Sequence, residues 1–252
     1  MTHSIVDAWV AALEARHLSE LRVPEVTRAL RALSSAYVER RKTVSRGGAL
    51  DSAGKRAAFA LFYAPLHFIT TTHVVAKLGA DAPPPASVLD IGCGTGAGGA
   101  AWALAAGGVP VTGIDRHPWA VEEARWTYRH FGLRGQARQG DVTRLPVIRP
   151  DSAVIAAYVL NELTDEARRA LEDRLLDAAR RGARLLILEP IARGVTPWWP
   201  ATLARFAGAG GRAAEWRFTV DLPPFVRLLD QAAGLNHREL TVKSLYCPGT
   251  AG

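Results

Sequence analysis

Apolar residues recur at helical spacing through the first 80 positions, with Ile5, Ala8, Trp9 and Leu13 as one stripe and Val26, Leu30, Leu33 and Tyr37 as a second. Pro24 sits where a first helical turn tolerates proline. A third segment, about 52–78, is rich in Ala, Phe, Leu and Val, and Pro65 within it predicts a kink or a break. The run Asp81-Ala82-Pro83-Pro84-Pro85 cannot be helix interior. It separates an expected helical cap over residues 1–80 from the rest of the chain.

Beyond Ser87, short apolar runs alternate with amphipathic stretches, the pattern of strands that cross over through helices into a parallel sheet. It predicts strands at 87–91, 110–114, 136–139, 152–159 and 184–188, and helices near 98–106, 119–131 and 164–181. Thr164 followed by Asp165-Glu166 suits a helix start, because negative charge opposes the positive helix terminus. After Glu189, the prolines at 197–200 and glycines at 208–211 suggest a loop-bounded insertion. A helix at 223–233 and a last strand at 239–246 follow. The expected fold class is α/β, with the sheet domain over 86–252, and no internal repeat is visible.

Composition adds limits. With 252 residues, 48% of them hydrophobic, the chain can bury a full core. Residues 1–14 lack a basic segment followed by an apolar run, and no stretch approaches the ~20 uninterrupted apolar residues of a membrane span. A soluble cytoplasmic protein with no membrane partner is the expectation. Cys93 and Cys247 belong to no CxxC, so neither a disulfide framework nor a cysteine metal site is expected. A net charge of +7 invites a nucleic-acid partner. Only four of the basic residues are lysines, however, and so heavy an arginine bias beside abundant Ala and Gly equally fits a GC-rich coding sequence. The densest run, Arg40-Arg41-Lys42 with Arg46 following, reads either as a phosphate-contacting patch or as a solvated helix end.

The sharpest chemical signal is Val88-Leu89-Asp90-Ile91-Gly92-Cys93-Gly94-Thr95-Gly96, a strand running into a glycine loop where backbone approaches a ligand closely. Gly94-Thr95-Gly96-Ala97-Gly98-Gly99 also satisfies the G-x-G-x-x-G of dinucleotide binders. Asp90 tilts the choice, since a carboxylate near pyrophosphate repels it but attracts the amino group and sulfonium of S-adenosylmethionine. Asp115 closes the next strand about 20 residues on, where a carboxylate can accept hydrogen bonds from both ribose hydroxyls of either cofactor. Gly140-Asp141-Val142 follows the third strand. There Asp141 can accept from an adenine amino group and Val142 can pack on the ring, although turn chemistry alone explains Gly-Asp as well.

In these residues the chain resembles the Rossmann-like, seven-stranded superfamily of S-adenosylmethionine-dependent methyltransferases from Ser87 onward. The resemblance implies that Asp90, Gly92, Cys93, Gly94 and Gly96 hold the methionine portion, Asp115 the ribose, and Asp141 with Val142 the adenine. A narrower similarity runs through Tyr63-Ala64-Pro65, Thr70-Thr71-Thr72, Ala101-Trp102-Ala103, the 156–163 segment and Leu188-Glu189-Pro190. These resemble the methyltransferase-like family of the mitochondrial small ribosomal subunit and its bacterial relatives, which implies ribosomal RNA as a partner. That family's cysteine cluster after the Glu-Pro element is absent, so no iron-sulfur or zinc site is carried over.

Methyl transfer from a sulfonium is an in-line displacement with an activated leaving group, so alignment is the protein's main task. The fourth strand delivers residues 158–162 to the ligand edge, with Tyr158 at the cofactor. Asn161 and Glu162 are candidates to orient or deprotonate an acceptor, although Glu162 paired to an arginine and Asn161 in a turn would explain them equally. Trp198 and Trp199 either line the acceptor pocket or seal the helical cap. His67, His73, His117 and His130 read as surface or core. Besides an enzyme acting on RNA or a small metabolite, the sequence admits an RNA-binding ribosome-assembly protein that retains a cofactor site, and a dinucleotide-dependent oxidoreductase.

Overall fold

The computed structural model describes residues 2–39, 50–142 and 144–249, so the basic run at 40–46 lies outside the described residues. The helices in chain order are α1 (Thr2–His17), α2 (Val23–Glu39), α3 (Ala53–Ala58), α4 (Ala64–Leu78), α5 (Ala97–Ala105), α6 (Pro118–His130), α7 (Asp165–Arg180), α8 (Trp199–Ala207) and α9 (Pro224–Ala233). The strands are β1 (Val88–Ile91), β2 (Val111–Asp115), β3 (Gly135–Gln139), β4 (Ala153–Ala157), β5 (Arg184–Glu189), β6 (Arg212–Thr219) and β7 (Glu239–Cys247). They belong to two compact units, one of residues 1–67 with 218–240, the other of residues 68–217 with 241–252.

In the helical unit, α1 buries Val6, Trp9, Val10 and Leu13, while Ile5 of the expected stripe is 39% exposed. Of the second stripe, Val26, Leu30 and Leu33 lie in the core, and the Tyr37 side chain lies outside the described residues. The Ser52 hydroxyl caps α3 by accepting from the Lys55 N–H at 3.3 Å. A π-helical turn, Phe59–Tyr63, joins α3 to α4, so the proline at 65 falls just after a register change that absorbs its missing N–H. The whole run Ala53–Leu78 is long and apolar enough to cross a membrane by length and composition, but 67% of its apolar window is buried inside the fold.

Two sequence expectations about this unit change. It ends at residue 67 rather than 80, and it takes in α9, which the sequence reading assigned to the sheet domain. Helix α9 packs on α1 and α2, burying Val226 and Leu229, and the Arg31 guanidinium donates to the Ala232 carbonyl at 2.5 Å. No local pattern reports a partner 201 residues away.

The second unit is built on one seven-stranded sheet, ordered β3-β2-β1-β4-β5-β7-β6. Strands β1 to β5 run parallel, with Asp90 level with Gly113 and with Ile155, and β7 runs antiparallel to β5 with Lys243 opposite Glu189. The order reverses between β1 and β4, so the carboxyl ends of those strands flank the crevice where an open parallel sheet binds its ligands. Leu171, Leu175 and Leu176 of α7 pack on Val154, Leu185 and Ile187 of the sheet.

The five parallel strands and their helices follow the expected pattern closely. Two elements of the expected insertion do not. Helix α8 starts at Trp199 with Pro200 in its first turn, so a proline read as a loop signal is a helix opener. Strand β6 alternates half-buried Ala214, Trp216 and Phe218 with exposed Glu215, Arg217 and Thr219, a period-2 pattern that the sequence reading passed over beside the glycines at 208–211.

Candidate functional site

Strand β1 ends in Asp90-Ile91, and Gly92, Gly94 and Gly96 then take φ values of +62°, +52° and +80°. The backbone doubles back through a Gly96 N–H to Cys93 carbonyl bond of 2.7 Å, and the Cys93 N–H ties the loop to the Ile114 carbonyl at 3.0 Å. Gly92 has a second constraint besides its left-handed φ. A Cβ there would stand 2.6 Å from Val159 Cγ2.

Asp90 is 2% exposed, and its Oδ2 accepts the Gly99 N–H at 2.8 Å. It thus caps the first turn of α5 from the end of the preceding strand. Burial pushes its carboxyl up to about 7, opposed by the Gly99 N–H and reinforced by the charge of Asp115. Gly99 is glycine for this contact, because a Cβ would lie 2.7 Å from Asp90 Oδ2. Asp90 thus takes one of the α5 N-terminal donors that a pyrophosphate would use.

Asp115, at the end of β2, accepts the Gly94 N–H on Oδ2 at 2.9 Å and the His117 N–H on Oδ1 at 2.8 Å. Each carboxylate oxygen has about two acceptor sites, so one on each remains for a ligand hydroxyl. Asp141 is exposed and Val142 half-buried, in the loop that follows β3. That loop is joined to the end of β2 by the Gly140 N–H to Asp115 carbonyl bond of 2.9 Å.

Strand β4 stops at Ala157, two residues short of expectation. The Tyr158 N–H donates to the Leu188 carbonyl at 2.8 Å, and Tyr158 takes a φ of +60°, a conformation costly for a bulky side chain. Its hydroxyl is paired with Thr70 of α4, and burial drives its pKa upward. Leu160–Glu162 then form a 3-10 turn whose Leu160 and Asn161 N–H groups both donate to Glu189 Oε1, at 2.9 and 3.3 Å. Glu189 is fully buried and its other oxygen has no hydrogen-bond partner among the described residues. Burial holds its carboxyl up at about 8.

Glu162 lies 3.9 Å from the Arg116 guanidinium. Burial raises its carboxyl pKa, Arg116 pulls it back and Asp115 pushes it up; with 38% of the side chain exposed, water moderates that rise. In the strand order β2-β1-β4 this pair joins the loops on either side of the glycine loop. Arg116 was not singled out in the sequence. Its only signal is its place beside Asp115, which gains meaning once β2 and β4 are known to flank β1.

Trp198 and Trp199 belong to the sheet unit. Within the sheet unit, the Arg168 guanidinium stands 4.7 Å over Trp198 and the Lys243 ammonium 4.7 Å over Trp199. Trp199 and Trp198 pack on the core around α7 and β5. Among the described residues no cluster of His, Cys, Asp or Glu could hold a metal ion.

A loop of left-handed glycines with Asp90, Asp115 and Glu162 around it concentrates negative charge at backbone N–H groups. The charge of Asp115 adds to the raised carboxyl pKa of Asp90 and of Glu162, a repulsion that a cationic ligand relieves. The donor set fits S-adenosylmethionine, with hydroxyl acceptors on Asp115 and attraction for its amino group and sulfonium.

Residues 88–182 match the family described as Methyltransferase domain. That stretch contains Asp90, the glycine loop, Asp115, Asp141 and Glu162. Over 131 residues the chain is 37% identical to the 2-ketoarginine methyltransferase of Streptomyces arginensis, covering 49% of this chain and 37% of that protein. The chain thus spans well under half the length of this curated relative. A candidate O-methyltransferase from Nostoc punctiforme PCC 73102 superimposes with a TM-score of 0.55 at 16% identity, over 88% of this chain and 69% of that one, which establishes the shared fold.

Proposed function

We propose that this chain is an S-adenosylmethionine-dependent methyltransferase acting on a small metabolite. The single observation that carries the reading is the glycine loop locked between Asp90 and Asp115. The likeness to a 2-ketoarginine methyltransferase supports a small acceptor of the 2-oxo acid class. In this reading Gly92, Cys93, Gly94 and Gly96 cradle the methionine end, Asp115 takes the ribose hydroxyls, and Asp141 and Val142 face the adenine. Asp90 acts through α5 by fixing the loop rather than by touching the methionine end.

When bound, the cofactor supplies an electrophilic methyl group on a good leaving group. The protein aligns the acceptor with it. Glu189 holds the 160–162 turn, and the turn presents Asn161 and Glu162 beside the glycine loop. Glu162, with its raised pKa, is the group placed to take a proton from an acceptor that must lose one, and Arg116 holds it in position.

A labelled-methyl assay on metabolite extracts and on 2-oxo acids tests the reading. Label in a small molecule is the expected result; label only in RNA would transfer the proposal to the ribosomal reading, for which the +7 charge is the support. A cytoplasmic location goes with either acceptor.

A further inference from the structure

The connection from β3 to β4 crosses over β2 and β1, and residues 140–152 form no helix among the described residues. Parallel crossovers usually carry a helix that covers the sheet. In this one an extended segment leaves a cavity of about 680 Å³, a volume within the usual range for small-molecule sites. Its floor includes Leu89 and Ile148, and Arg125, Arg129, Arg138 and Arg149 line it with no acidic side chain among the lining residues. Because Ser87, Val88 and Leu89 contribute from the start of β1, Gly92 lies ~10 Å further along the strand, so the cavity is separate from the cofactor loop.

The four arginines are not equivalent. Arg149 is held by Asp151 at 2.9 Å, and Arg125 by Glu122 and by the Ala137 carbonyl at 2.8 Å. Arg129 and Arg138 are exposed and have no carboxylate partner among the described residues. Two oriented guanidiniums and two unneutralised ones around an apolar floor favour a planar or tetrahedral polyanion. No aromatic side chain lines the cavity, which argues against a strand of stacked bases.

We propose that this cavity is a second ligand site, which takes a small phosphate-bearing molecule of the oligophosphate or nucleotide type. Calorimetric titration of the full chain with inorganic tripolyphosphate and with ADP tests it, the two arms separating a bare oligophosphate from a nucleotide. Binding of either that weakens severalfold between 50 and 200 mM salt (~0.05 and ~0.2 M, the span over which phosphate contacts lose affinity) is expected. The double variant Arg129→Gln/Arg138→Gln should weaken it at least ~10-fold, the loss of ~1.4 kcal/mol, while the melting shift produced by S-adenosylhomocysteine stays unchanged. Should the double variant fail to fold, Arg138→Gln alone carries the same comparison. No binding of either probe, equal binding by the folded variant, or tighter binding of a single-stranded RNA oligonucleotide than of tripolyphosphate would each overturn the proposal.

Discussion

Asp115 bears the largest share of the site. Its two oxygens organise the glycine loop and the turn into α6, and in the proposed reading the same oxygens accept from the ribose hydroxyls. Asp115→Ala should weaken S-adenosylhomocysteine binding by about 10- to 100-fold, in line with ~1.5–3 kcal/mol for hydrogen bonds to a charged group; calorimetry checks it, and unchanged affinity would remove the ribose assignment. Glu162→Gln should lower kcat at least ~10-fold, the lower range for a general base, and leave S-adenosylhomocysteine affinity intact. Because the Glu162 pKa is raised, wild-type kcat should climb with pH until that carboxyl is ionised, and the Gln variant should lose that limb of the profile. At this scale the sequence was legible where chemistry requires one residue type. The Asp90 contact was not, since the same carboxylate can face a ligand or cap a helix, and only its 2.8 Å bond to Gly99 decides.

The segments that meet at the crevice depend on one another. Gly92→Ala places a methyl against Val159 at a left-handed φ and should cost ~1–3 kcal/mol, read by chemical denaturation; Val159→Ala in the same chain should recover the steric part only. Glu189 ties the end of β5 to the turn after β4, and its titration has a definite sign. Its carboxyl is normally near 4.5 and is held at about 8 in the fold, so the folded state keeps the proton over that interval. The stabilisation is complete below pH ~4.5 and disappears as pH rises through ~8. Glu189→Gln should therefore flatten the fall in stability between pH 5 and 9, and a variant that melts with the wild-type pH dependence would refute the buried, protonated state. Strands β1, β4 and β5 were legible because both of their faces are apolar, whereas the alternation of β6 lies beside glycines that read as a loop and α8 opens on prolines that elsewhere mark loops.

Across the whole molecule, what the sequence could not disclose is mostly long-range. The end of the helical unit at residue 67 and the membership of α9 in it are set by packing between residues far apart in the chain. The same holds for the Arg116–Glu162 pair, which follows from a strand order that no local periodicity encodes. The proposed methyl donor, by contrast, is read from one strand, one loop and three carboxylates in order. Calorimetric titration of the full chain with S-adenosylhomocysteine and NAD tests that claim most directly. The account predicts saturable binding of S-adenosylhomocysteine that is lost in Asp115→Ala, with no heat from NAD; binding of NAD alone would contradict it.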